Sequence, residues 1–367
     1  MTEVELISTL RLQQIPNIGD VTAKKLISHC GSVNAIFEDK VQNLLKIDGI
    51  GQFTLKNLHD TAYLEAAKSE LDFIKNNNIE VLTFNDAKYP SYLKHCIDGP
   101  ILIFRKGNIA LENRKVISVV GTRNITSYGT AFCEKLIEDL APLNPIIVSG
   151  FAYGVDICVQ KAAIKHGLQT IGCLAHGLNQ IYPKVHSKYV SDVEKNGGFY
   201  SEFWSTSNPE RENFLKRNRI IAGMSEATIV IESAAKGGSL VTADIANSYN
   251  RDVFAVPGRA EDKYSIGCNN LIKQNKAHML TSAADLIYLL GWELEEKKAK
   301  TVQKQLFVDL NKDEQIIYTY LQSSGKQLLD SIALDCKMPI FKVSSTLLNM
   351  EMKGVIRPLP GKLFEAL

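Results

Sequence analysis

Apolar and polar positions change rhythm three times along these 367 residues. Residues 1–80 read as short amphipathic helices. Two similar turns interrupt them: Ile15-Pro16-Asn17-Ile18-Gly19-Asp20 before Val21–Ile27, and Ile47-Asp48-Gly49-Ile50-Gly51 before Phe53–Leu58. From 81 to 292, near-continuous Val/Ile runs alternate with amphipathic stretches. Strands are predicted at Val81–Phe84, Val116–Val120, Ile146–Val148, Thr170–Leu174, Phe199–Glu202, Thr228–Ile231 and Val253–Val256. Such runs, separated by helices, predict a parallel sheet covered on both faces. A helix from Tyr128 to Leu140 sets Phe132, Leu136 and Leu140 on one face. The charged, glycine-free stretch 293–308 reads as a solvated linker or a helix tail. Residues 309–367 give three helices (Asp313–Leu321, Leu328–Leu334, Ile340–Met352) and a strand pair around Leu359-Pro360-Gly361.

The two Gly turns at the start look like helix-hairpin-helix units, whose exposed N–H groups can touch a DNA phosphate. A small bundle whose hairpins only pack explains them equally well, because this segment is net acidic and phosphate attraction dominates DNA affinity. The last segment looks like a winged helix. Its third helix offers mainly Lys342, Ser344, Ser345 and Asn349 and lacks base-reading arginines, which favours protein contact or weak DNA contact. The expected fold class is therefore α/β. It comprises an extended Rossmann-like parallel-sheet domain (81–292) flanked by an N-terminal helix-hairpin-helix, SAM-like helical domain (1–80) and a C-terminal winged-helix domain (309–367).

Glycine loops sharpen the picture in the middle. Gly121-Thr122-Arg123 leads to Ser127-Tyr128-Gly129 directly after Val116–Val120. Ser149-Gly150-Phe151-Ala152-Tyr153-Gly154 follows Ile146–Val148, and Lys236-Gly237-Gly238-Ser239 comes later. Strand, glycine loop and helix together aim backbone N–H groups and a helix N-terminus at an anion. Arg123 has the planar fork suited to bidentate phosphate contact. Lys184 begins a helix after Tyr182-Pro183, an unfavourable place for a cation unless an anion is held there. Around Asn218, one of Arg217 and Arg219 is expected to face the ligand and the other to pair internally. Ser239 and Thr242 serve as helix caps or phosphate donors. Tyr128, Phe151, Tyr153 and Tyr182 in the same loops either stack bases of a single strand or fill the core beneath.

Net charge is only +2, but it is unevenly spread. Residues 1–80 carry eight Lys+Arg against eleven Asp+Glu, and 309–367 carry seven of each, so the surplus of positive charge falls on the middle. A polyanion is drawn there first. A Walker A loop, a Gly-x-Gly-x-x-Gly fingerprint, paired His ligands and a Gly-x-Ser-x-Gly elbow are all missing. No P-loop hydrolase, dinucleotide cofactor, zinc site or serine hydrolase is expected. Seven cysteines without a Cys-x-x-Cys pair suit a reducing cytoplasm, and neither a secretory leader nor a membrane span is expected.

Taken in order, these motifs resemble the DNA-processing protein A family (DprA, also called Smf). Tyr89-Pro90-Ser91-Tyr92-Leu93 through Gly99-Pro100, the two glycine loops, Ser201-Glu202, Arg217-Asn218-Arg219-Ile220-Ile221-Ala222-Gly223, Gly238-Ser239-Leu240, Val256-Pro257-Gly258 and Gly267-Cys268-Asn269 carry the resemblance. It implies a single-stranded DNA-binding protein that protects incoming DNA and loads RecA recombinase in natural transformation and recombination. It further implies a homodimer in the cytoplasm, with no cofactor and no enzymatic step. The phosphate-binding residues it implies here are Gly121, Arg123, Ser127, Tyr128, Gly150, Lys184, Arg217, Asn218, Arg219, Gly238 and Ser239. Two departures stand out: Gln160 occupies the place of a family histidine, and Ala175 replaces the first Gly of a Gly-x-Gly. The alternative is a nucleotide-processing enzyme of the same Rossmann-like superfamily, a phosphoribohydrolase with Glu202 or Glu232 as acid–base. The loop Lys236–Ser239 lacks the Pro-Gly-Gly-x-Gly-Thr pattern such an enzyme uses.

Overall fold

The computed structural model describes residues 1–292 and 309–367, so the expected linker lies outside the described residues. The chain divides into two compact units, Met1–Met279 and Leu280–Leu367.

In the first unit the described residues form a nine-stranded sheet. Its strands are β1 (Glu80–Thr83), β2 (Leu102–Gly107), β3 (Val116–Val120), β4 (Ile146–Ser149), β5 (Thr170–Cys173), β6 (Gly197–Ser201), β7 (Ala227–Val230), β8 (Asp252–Ala255) and β9 (His278–Met279). The order across the sheet is β1-β2-β6-β5-β4-β3-β7-β8-β9. From β6 to β9 every neighbour pair is parallel. β3, β4, β5 and β7 are buried along their whole length, as strands covered by helices on both faces must be.

The parallel sheet expected from the pattern carries an antiparallel edge. β2 runs antiparallel to both β1 and β6. Glycine makes this junction possible. A side chain on Gly198 would stand 2.1 Å from the Lys106 carbonyl, and one on Gly107 would stand 2.4 Å from that of Gly197. Only bare backbones come this close.

The N-terminal helices have their own core, with Leu26, Ile36, Leu44 and Leu58 fully buried. They nevertheless share the first unit, because they are bonded to it through polar groups. Asp20 accepts the Ile101 N–H at 2.8 Å, Trp204 Nε1 donates to Gln13 at 2.7 Å, and Glu70 accepts from the Ser205 backbone at 2.8 Å. The first Gly turn, at the start of the helix Asp20–Cys30, is thus engaged internally.

The second unit holds helices Lys312–Ser324, Leu329–Asp335 and Ile340–Met352 beside a three-stranded sheet. Its strands are β10 (Gln327–Leu328), β11 (Ile356–Leu359) and β12 (Leu363–Ala366), with β12 central and antiparallel to both. This is the winged-helix arrangement the pattern predicts. Residues 280–292, expected to close the middle domain, belong to this unit. The Gly361 N–H donates at 3.0 Å to the carbonyl of Leu289, the last residue of the helix Ala283–Leu289. On the third helix, Lys342 is paired with Asp313 at 2.8 Å, while Phe341, Leu348 and Met352 are exposed.

Candidate nucleic-acid interface

From β3 the chain winds to β4, β5 and β6 on one side, then returns to place β7 on the other side of β3. The carboxyl ends of β3 and β7 therefore flank a topological switch point, where open α/β sheets hold ligands. A cleft of about 810 Å³ lies there. Its walls come from the loops after β3, β4 and β7 and from the helix Arg211–Met224.

Local bonds hold these loops tightly. The Thr122 N–H donates to the Glu232 carbonyl at 2.7 Å, and Val155 donates to the Thr122 carbonyl at 3.1 Å. Gly154 has φ +77°, and a Cβ there would lie 2.1 Å from the Thr122 oxygen. The loops after β3 and β4 can meet only because that residue is glycine. Buried Glu232 secures the β3 loop from the other side, its carboxylate accepting from the backbone N–H of Thr126 at 2.9 Å and from the Thr126 hydroxyl.

Arg217 forms the floor. It is buried, and its Nη1 donates to the Gly150 carbonyl at 2.6 Å and to the Cys173 carbonyl, clamping the ends of β4 and β5. Asp156 lies on the same lining. Burial raises its pKa against the lowering pull of Arg217, while burial lowers that of Arg217 itself. Asn218 reaches the Gly238 carbonyl at 3.4 Å, and the Ser239 hydroxyl bonds Ser233 at 3.0 Å. The helix Gly238–Ser248 opens on the cleft with no side-chain cap.

The rim is cationic and aromatic. Arg123, Arg211 and Lys236 are exposed and make no ion pair among the described residues. Arg123 lies 5.1 Å from the centre of the Phe214 ring, and Tyr182 stands edge-on to the same ring at 6.0 Å. Tyr153 is half exposed on the lining, whereas Phe151 is fully buried against Phe199 and His186. Of the aromatic residues, Phe151 therefore takes the core role.

Gly121, Arg123, Arg217, Asn218, Gly238 and Ser239 come together on this cleft, with Gly150 directly beneath Arg217. Ser127 and Tyr128 line a neighbouring hollow with Arg259 and Lys263, where the Tyr128 hydroxyl donates to the Pro257 carbonyl at 3.0 Å. Lys184 is exposed at the start of the 3-10 helix Lys184–Tyr189 and is not part of the cleft lining.

Arg219 requires a correction. It points to the N-terminal helices, donating to Asp20 at 3.1 Å, to Glu202 and to the Asp98 carbonyl. Neither arginine of the pair is a free ligand: Arg217 serves the floor and Arg219 the junction with the helices. Gln160 and Ala175, the two departures from the family pattern, are both buried and absent from the cleft lining. The Ser149 hydroxyl donates to the Val119 carbonyl at 2.7 Å, and His176 Nδ1 bonds the Gly177 carbonyl at 2.9 Å.

Sequence reasoning missed Arg211 and Phe214. A signal for them existed. Stepping back along the helix from Asn218 by four and seven residues lands on Phe214 and Arg211, which share its face.

Known proteins resemble this chain in sequence and fold. Residues 80–291 match the family of DNA recombination-mediator protein A, residues 305–362 the DprA winged helix domain, and residues 9–62 a SAM-like helix-hairpin-helix tandem. Protein Smf of Synechocystis is 31% identical over 295 residues, 77% of this chain and 72% of that protein. The X-ray structure of DprA from Streptococcus pneumoniae superposes with TM-score 0.64 at 29% identity, covering 78% of this chain and 97% of that one. DprA from Helicobacter pylori, whose structure is described for its single-stranded DNA binding mode, superposes with TM-score 0.52 at 28% identity, covering 57% and 94%. On sequence, domain order and fold, the chain belongs to the DNA recombination-mediator protein A family.

Proposed function

We propose that this protein binds single-stranded DNA in the β3–β7 cleft and, as a cytoplasmic homodimer, protects it and loads RecA recombinase onto it during natural transformation and recombination. One observation carries the binding site: three unpaired cations, an uncapped helix N-terminus and an exposed tyrosine converge on a cleft at the switch point. Cations track a phosphate backbone while rings stack bases, which is what a single strand requires. Family membership supports the RecA and dimer parts of the reading. Lys184, Ser127 and Tyr128, outside the cleft itself, are assigned to the approaches of the strand.

The nucleotide-hydrolase alternative fares worse. Glu202 is bonded to Arg219, and both carboxylate oxygens of Glu232 are taken by Thr126. No release of adenine from adenosine monophosphate is expected.

The test is fluorescence anisotropy of labelled oligo-dT at two salt concentrations, with unlabelled duplex as competitor. Binding that weakens with salt and resists duplex is expected, and Arg123→Ala should weaken it by about 1–3 kcal/mol, the range for a stacked or charged DNA contact. Equal affinity of wild type and Arg123→Ala at matched salt would sink the cleft assignment.

A further inference from the structure

A second groove leaves the cleft at Arg123 and Tyr153, which line both. It has a volume of about 830 Å³ and runs between the helices Ser127–Leu140 and Val155–Lys165. Besides Arg123, its lysines come from one helix. Lys161 and Lys165 are spaced i, i+4, so they stand one above the other on the same face, about 6 Å apart along the axis. Both are exposed, and neither makes an ion pair among the described residues. Lys161 stands 5.7 Å from the centre of the Tyr189 ring. His166 closes the far end, and Glu134 is the one acidic residue on the lining. Elsewhere on the Ser127–Leu140 helix, Lys135 is already paired with Glu138 and Asp139, at 3.4 Å and 2.9 Å. The free positive charge of this region is therefore on the Val155–Lys165 side.

The groove has the wrong character for a small ligand. It is open, its cations lie in a line, and it joins the first cleft across a shared arginine and tyrosine. That is the form of a track for a long polyanion. We infer that the groove beside Lys161 and Lys165 continues the single-strand path: DNA seated in the β3–β7 cleft crosses over Tyr153 and lays its next phosphates along these two lysines. The inference rests on the cleft reading above and extends it, setting the length of strand that one subunit engages.

The two readings separate by length and salt. The full chain and Lys161→Gln/Lys165→Gln are compared on a short oligo-dT of about six nucleotides and a long one of about sixteen, within the range of site sizes known for single-strand binders. Both lysines are exposed surface positions, so the variant is expected to fold, and its circular dichroism and melting temperature should match wild type. The short strand should bind both proteins equally. On the long strand the variant should lose two phosphate contacts, flattening the slope of log K against log salt by about 1.4. An unchanged slope on the long strand, with short-strand binding intact, overturns the groove and leaves the cleft standing. A wild-type protein that binds neither length overturns the cleft and the groove with it.

Discussion

Arg219 Nη2 donates to Asp20 at 3.1 Å, tying the helix that carries the family's Arg-Asn-Arg motif to the first helical turn after the N-terminal Gly hairpin. The same guanidinium bonds Glu202. Arg219→Ala would take from Glu202, whose side chain is mostly buried, and from Asp20 the guanidinium that both are bonded to. Breaking a buried pair from one side costs about 3–5 kcal/mol. Urea denaturation should show a loss of that order, while the folded fraction keeps its oligo-dT affinity. A variant of wild-type stability that binds DNA poorly would return Arg219 to the phosphate site.

Glu202 makes stability depend on pH. Burial pushes its pKa up to about 7, outweighing Arg219, with Asp20 and Asp98 adding to the rise. The native state thus holds a proton that the unfolded chain releases near pH 4.5. Its stabilising share is full below that value and is lost as pH rises through about 7. Between pH 5 and 7.5 the free energy of unfolding should fall in wild type, and Glu202→Gln should remove that part of the decline. A Glu202→Gln profile parallel to wild type would count against it.

Gly154→Ala tests the loop junction. The added methyl would meet the Thr122 carbonyl at 2.1 Å, at a residue whose φ is +77°. Strain of this kind costs about 1–3 kcal/mol where the backbone can hold it. Here the loops after β3 and β4 must part, so melting temperature and oligo-dT affinity should fall together. Gly31→Ala makes the control. It has a φ of +81° and nothing within 4 Å of the added methyl, so it should affect stability alone.

Cys158 should report occupancy of the second groove. A hydrogen bond from Cys133 lowers its pKa, and it lies on the groove wall, whereas Cys133 is fully buried with its pKa raised. N-ethylmaleimide should therefore label Cys158 ahead of Cys96, Cys173 and Cys268, which are buried. Peptide mass spectrometry should show that long oligo-dT slows this labelling several-fold. Unchanged labelling at saturating DNA would mean that the strand takes another path.

Much of this protein was decided by sequence alone. The runs Val116–Val120, Ile146–Val148, Thr170–Leu174, Thr228–Ile231 and Val253–Val256 became β3, β4, β5, β7 and β8, because a strand buried on both faces must be apolar throughout. The glycine loops became the cleft walls for a similar reason: backbone that approaches backbone has no room for a side chain. The three helices and hairpin of residues 309–367 were equally legible, since each carries its own period.

Tertiary structure decided the rest. β2 was not predicted, because its apolar half ends in Arg105-Lys106 and its antiparallel partner β6 lies some ninety residues away. Arg217 and Arg219 have the same chemistry, two residues apart on one helix, yet one faces the cleft floor and the other the N-terminal helices. Two steps of a 3.6-residue helix rotate a side chain by about 200°, and only the packing of that helix tells which side meets the ligand. Local pattern encodes which residues must be buried and which backbones must be bare. Which partner a charged side chain meets depends on chain segments far away in sequence, and only the folded structure brings them together.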